Sequence, residues 1–215
     1  MDDKALRQRI IDELEWEPPV DSASIGVAVN NGVVTLTGHV PSYAQLVAAE
    51  AAVKRVKGVQ AIAQEIEVRF TGASPHSDED IASRAALLLK WNAELPADAI
   101  QVKVAKGWIT LSGEVEWQYQ RQAAEENVRS LVGVTGVSNL ISVAPRALTA
   151  DVAHGIEAAL RRDAHLQAEQ IKVVAKGGVV TLEGRVRSWR ERDAIERAAW
   201  AAPGVESVDN HLVIG

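Results

Sequence analysis

Glu50, Glu125 and Glu196 are the residues of this 215-residue chain that first invite a chemical role, because the three recur in matching local context. A recurring carboxylate suits general acid–base work only when a second titratable group stands beside it. Four residues further on stand Lys54 and Arg129 in the first two cases, the spacing of an ion pair along a solvent-facing helix. The glutamates are therefore read as surface pairs. The histidines, His39, His76, His154, His165 and His211, share no common context, and neither HExxH, CxxC nor an aspartate-rich calcium loop is present. There is no cysteine, which excludes a cysteine nucleophile, a disulfide framework and a thiolate metal site. The expectation is a non-enzyme, with no catalytic residue, no metal and no cofactor.

Two other groups could bind rather than react. Gln64, Asn139 and Asn210 form a recurring amide among apolar neighbours, and a buried amide needs hydrogen-bond partners. A bond to nearby backbone is expected for it. The second group is basic and aromatic. Arg185, Arg187, Arg190 and Arg192 surround Trp189, Glu191 is the only acid in that span, and Trp200 stands where Lys54 and Arg129 stood. The plain reading is a solvated helix start whose arginine stems cover apolar surface. The sharper one is a docking surface for anionic phospholipid headgroups or a protein partner, with arginine supplying charge and tryptophan lying at the interface.

The elements that must position these groups come in three copies. IGVAVNNGVVTLTGHV from Ile25, IQVKVAKGWITLSGEV from Ile100 and IKVVAKGGVVTLEGRV from Ile171 align without a gap. The same offsets hold from Leu14, Leu89 and Leu160 to Val68, Val143 and Ile214, so whole modules repeat. Their bounds are 1–70, 78–145 and 148–215, each near the small end of what folds alone. Breaker-rich joints at Thr71–Ser77 and Ala144–Thr149 separate them, and such short joints favour packing between copies.

Within a module the periodicity runs helix, strand, strand, helix, strand. Leu6, Ile10 and Leu14 mark a first amphipathic helix, as do Ile81, Ala85, Leu89 and Val152, Ile156, Leu160. Alternation through Ile25, Val27, Val29 and Val34, Leu36, Val40, broken at Asn30-Asn31-Gly32, is a hairpin with one buried face. Gly32, Gly107 and Gly178 are the turn glycines, and Gly38, Gly113 and Gly184 recur further along the second strand. A helix with the apolar stripe Ala48, Ala49, Ala52, Val53 and Val56 precedes a closing strand, which a right-handed crossover lays parallel to the second strand. The fold class is α+β: three tandem αββαβ modules, each a three-stranded mixed sheet with two helices on one face. Trp16 and Trp91 share a column at the end of the first helix and read as caps on the core.

The pattern G-x-(V/I)-T-L-x-G-x-V, then Pro203-Gly204-Val205 and Val208-Asp209-Asn210-His211-Leu212, resembles the BON domain. Gly178–Val186 carries the motif most fully; Gln64 departs from it in the first copy and Val132-Gly133 in the second. The resemblance covers nearly the whole chain and implies a binding or stress-protection module without enzymatic activity. Its known members include osmotic-stress proteins, lipoproteins that bind anionic phospholipids, and a potassium-binding protein. A monovalent-cation or small-ligand sensor is thus one alternative. A structural scaffold of packed modules is another, and it requires Trp108 to be buried between modules.

Charge narrows the field further. The chain carries 23 basic and 29 acidic residues, a net charge of −6, which argues against nucleic acid as partner. The three modules carry 7 basic and 10 acidic, 6 and 9, then 9 and 10 residues, so only the third approaches neutrality. No apolar run is long enough for a transmembrane segment, and the start MDDKALRQRI lacks a basic and apolar leader. A cytoplasmic location is expected, or a periplasmic one if a leader has been removed. Oligomeric state is left open.

Overall fold

Leu6, Ile10 and Leu14 recur every fourth residue because they form the buried stripe of α1 (Asp3–Glu15), whose start is capped by the Asp2 carboxylate. The computed structural model describes residues 2–70, 77–144, 152–162 and 171–214. Both joints, His76 and His165 therefore lie outside the described residues, apart from Ser77 and Ala144. The chain divides into two compact units, Met1–Ser142 and Val143–Gly215.

The first unit holds two modules. In the first, β1 (Ile25–Asn30) pairs antiparallel with β2 (Val33–Val40), α2 (Tyr43–Arg55) crosses over, and β3 (Ala61–Val68) returns parallel to β2. The second repeats it as α3 (Asp78–Trp91), β4 (Ile100–Ala105), β5 (Trp108–Val115), α4 (Gln118–Arg129) and β6 (Gly136–Val143), with sheet order β4-β5-β6. The second unit is α5 (Val152–Arg162), β7 (Ile171–Lys176), β8 (Val179–Val186), α6 (Trp189–Trp200) and β9 (Ser207–Ile214), and β8 again has an antiparallel and a parallel neighbour. Three mixed three-stranded sheets, each with two helices, are what the periodicity predicts.

Each core lies between the helices and one sheet face. In the second unit Ile156, Leu160, Val180, Leu182, Ile195 and Ala199 are fully enclosed, drawn from α5, β8 and α6. Residues alternate along β8, with Val180, Leu182 and Val186 inside while Glu183 and Arg185 face out. Small residues at Ala49, Ala52, Ala124 and Ala199 let the second helix of each module approach the sheet closely.

The recurring glycines answer to backbone geometry. Gly38 has φ +113° and Gly113 φ +134°, and a Cβ there would stand 2.1 Å from the Ser24 carbonyl oxygen and 2.0 Å from that of Ala99. No other residue fits so close an approach. The hairpin turns are held from outside as well. The Asp3 carboxylate accepts from the Asn31 and Gly32 amides at 2.8 and 3.2 Å, and Asp78 accepts from Lys106 and Gly107 at 2.7 and 2.8 Å. The first turn of each of these two helices thus clamps its own module's hairpin.

The first two modules touch through Tyr43. Its ring packs against the core of the second module, next to Val137. Burial pushes the phenol above its ordinary value of 10.0, Glu125 adds to the rise, and a backbone hydrogen bond from Val137 opposes it.

Two aromatic expectations are corrected. Trp16 and Trp91 are 85% and 80% exposed, so they cap no core. Each lies two residues beyond a buried leucine, Leu14 or Leu89, which turns it about 200° round the helix and away from the sheet. Trp108 is not buried between modules either. It is half exposed on the outer face of its own sheet, where its Nε1–H donates to Ser138 Oγ at 2.9 Å and its ring lies over Gly136.

Candidate docking surface on the third module

Ser188 opens α6 by accepting from the Glu191 amide at 3.2 Å, and this places the basic segment at the junction of β8 and α6. Glu191 is buried, and its Oε2 accepts from the Arg187 amide at 2.7 Å and from Arg187 Nε at 3.4 Å. Ser188 and Glu191 thus bond amides on either side of the helix start, a variant of the cap that Ser-x-x-Glu encodes. Gln120, also buried, does the same in module two, accepting from the Glu116 and Trp117 amides at 3.0 and 3.1 Å. These two side chains were missed in the sequence, although Ser188-x-x-Glu191 is a legible signal.

Arg192 lies over the Trp189 ring, 5.2 Å from its centre, and donates to Asn210 Oδ1 and to the Asn210 carbonyl, each at 3.3 Å. Module two repeats this contact with Arg121 and the Asn139 carbonyl at 3.4 Å. Arg192 therefore ties a helix to a strand. Arg185, Arg187 and Arg190 are exposed. Arg185 faces outward on β8 opposite Val213, while the neighbouring Glu183 is held by Lys172 at 2.9 Å, a contact that lowers the carboxyl's pKa.

The six candidate residues are not all brought together. Arg185, Arg187, Trp189, Arg190 and Arg192 cluster where β8 meets α6. Trp200 ends the same helix, about 16 Å away along its axis, and packs against the module core. Its place at a former lysine and arginine position reflects burial.

The amide column has found its partners. Asn139 Nδ2 donates to the Arg121 carbonyl at 2.8 Å and to Glu125 Oε2 at 3.1 Å, and Asn210 Nδ2 donates to Glu196 Oε2 at 2.7 Å. Their oxygens accept from Ile141 and Leu212 amides at 3.3 and 3.1 Å. The backbone bonds were expected; the glutamates were not. Glu125 and Glu196 face the closing strand, and only Glu50 makes the helical ion pair, with Lys54 at 2.8 Å. Gln64 turns instead to the Ile66 carbonyl at 3.0 Å.

Among the described residues no cluster of three or more histidines and carboxylates is placed to hold a metal ion, and no helix is long and apolar enough to cross a membrane. The chain is thus three αββαβ modules, the last carrying exposed arginines where its second strand meets its second helix. The BON-domain family model matches residues 2–69, 77–145 and 149–215, and the chain belongs to that family. It is similar to the osmotically-inducible protein Y of Escherichia coli (strain K12), 31% identical over 143 residues, which covers 65% of this chain and 71% of that protein. Among solved structures it is matched with CdsD, a structural protein of the type III secretion system of Chlamydia trachomatis, at 16% identity and TM-score 0.27 over 98% of this chain and 92% of that one. The C-terminal domain of CdsD gives 18% identity and TM-score 0.26, with both chains fully covered.

Proposed function

We propose that this chain is a non-enzymatic binding protein of osmotic-stress tolerance that docks on anionic phospholipid surfaces, or on a protein partner of like charge, through its third module. The stress role is carried over from the osmotically-inducible relative. One observation carries the choice of module. Arg185 and Arg187 stand exposed at the positions that Glu114 and Glu116 occupy in the second module. The same scaffold thus reverses its charge at two equivalent places, and Arg190, where module two has Tyr119, adds a positive charge in the first turn of α6. Trp189 contributes an aromatic face beside them, and the positive end of the helix adds to the field.

The charge of the whole molecule opposes the attraction, so binding should be weak and salt-sensitive. Each basic residue near an anionic surface is worth about 1 kcal/mol. Arg185→Glu/Arg190→Glu should therefore weaken association by about 25-fold or more, and it spares Arg187 and Arg192, whose side chains have partners within the module. Co-sedimentation with anionic and zwitterionic vesicles at low and high salt tests this. No binding of the wild type to anionic vesicles at low salt would sink the lipid reading.

A second reading is a scaffold of packed modules: half-exposed Trp108 does not make the contact it called for, but the seat of Tyr43 against module two supplies a different one. It predicts that separating the first two modules abolishes binding to any target, whereas docking through the third leaves that module competent alone.

A further inference from the structure

The second module carries an apolar face that the first does not. On α3, Ile81, Ala85 and Leu89 point into the core, yet Leu87, Leu88 and Trp91 are 57%, 38% and 80% exposed. At 100° per residue, Arg84, Leu87, Leu88 and Trp91 fall within an arc of about 100°, a second stripe beside the buried one. Module one has Arg9, Asp12, Glu13 and Trp16 at these places, lining a shallow groove with Val56 and Lys57. There Glu13 pairs with Arg55 at 2.8 Å. Module two has lost both halves of that pair, Leu88 replacing Glu13 and Ser130 replacing Arg55. Val132, 58% exposed, replaces Lys57. Four large apolar side chains exposed on one face, three of them at positions where a sister module is charged, mark a surface made to be covered.

The geometry points to a second copy of this chain as what covers it, α3 lying antiparallel on α3 about a two-fold axis. The order Arg84, Leu87, Leu88, Trp91 complements itself when reversed. An axis between residues 87 and 88 sets each Leu87 on Leu88 of the partner subunit and each Arg84 guanidinium over Trp91 of the partner subunit, a cation–π contact made twice. The i, i+3, i+4, i+7 spacing is that of a coiled-coil seam, here two turns long. The inference is separate from docking by the third module.

Sedimentation velocity of the full chain, from micromolar to near-millimolar loading, should show the mass rising from one chain to two. Leu87→Asp/Leu88→Glu installs the residues that module one already uses, so it should remain monomeric with unchanged circular dichroism and melting. Arg84→Glu should weaken dimerisation by at least about tenfold, as loss of two cation–π contacts predicts, and this holds independently should the double variant fold poorly. The chain has no cysteine, so a single nitroxide can be placed cleanly. Labels at Lys90→Cys should lie about 8 Å apart along the helix axis and those at Glu79→Cys about 26 Å. A single-chain mass at every concentration overturns the proposal, as does a dimer indifferent to the double substitution or a short distance at position 79. A wild type that stays monomeric but loses phosphatidylcholine–phosphatidylglycerol vesicle binding with the double substitution also overturns it, in favour of a membrane.

Discussion

Asn210 and Glu196 meet across the α6–β9 interface, Nδ2 to Oε2 at 2.7 Å, and Asn139 and Glu125 repeat the contact at 3.1 Å. One bond accounts for two recurring columns, a helix glutamate and a strand amide. The amide also accepts from the Leu212 or Ile141 amide, so a single side chain fixes both the strand and the helix above it. Asn210→Leu keeps the volume but removes every one of these bonds, and leaves the partly buried Glu196 carboxylate without that donor. The cost should be about 1–3 kcal/mol, read as faster amide exchange throughout the third module while the first two are unchanged. A variant as protected as the wild type would assign the amide no structural role.

The sequence carried the elements of this fold because burial writes a period: four in Leu6, Ile10 and Leu14, two in Val34, Leu36 and Val40. The close approaches at Gly38 and Gly113 were marked by recurrence alone. What stayed hidden depends on pairing across the chain. Glu196 and Asn210 are 14 residues apart and Asp78 and Lys106 are 28, and no local pattern joins them. Glu50, Glu125 and Glu196 share a column but not a partner, because Gln64 replaces asparagine in the first module. The arginine cluster was visible as composition. That Arg192 serves the fold, and that Trp200 lies at the other end of α6, required coordinates.

Asp78 turns a helix start into a hairpin clamp. Its two oxygens accept from Lys106 and Gly107 at 2.7 and 2.8 Å, and charge-assisted bonds of this kind are about twice as strong as neutral ones. Asp78→Ala should destabilise the second module by about 1–3 kcal/mol and accelerate exchange of these two amides more than any other in β4 and β5. Asp78→Asn keeps one acceptor oxygen, so it should lose less. Equal losses in the two variants would mean that the carboxylate acts only through the helix dipole.

Gln120 spends its whole side chain on backbone. Besides accepting from the Glu116 and Trp117 amides, its Nε2 donates to the Glu94 carbonyl at 3.0 Å, joining α4 to the loop after α3. Glu at this place, as in module three, could keep the two acceptor bonds but not the donor. Gln120→Glu should therefore cost about 1–2 kcal/mol and Gln120→Leu more, since it removes all three of these partly buried bonds. Chemical denaturation followed by tryptophan fluorescence, to which this module contributes Trp91, Trp108 and Trp117, measures both.

Tyr43 makes the contact between the first two modules sensitive to alkali. Burial first, then the charge of Glu125, holds its phenol above 10.0; Glu50 adds to this, while Val137 and Arg129 oppose it. An acid whose folded value is raised favours its neutral form in the folded state. Its contribution is therefore complete below about pH 10 and disappears as pH rises through the raised value. Tyr119 is the other tyrosine, so in a Tyr119→Phe background phenolate absorbance follows Tyr43 alone. It should titrate above the ordinary tyrosine value, and the melting temperature of the first unit should fall over the same range. Tyr43→Phe retains the packed ring and abolishes that fall, whereas Tyr43→Ala loosens the two modules at every pH. An ordinary titration, or the same alkaline loss in Tyr43→Phe, would show that the phenol does not govern the junction.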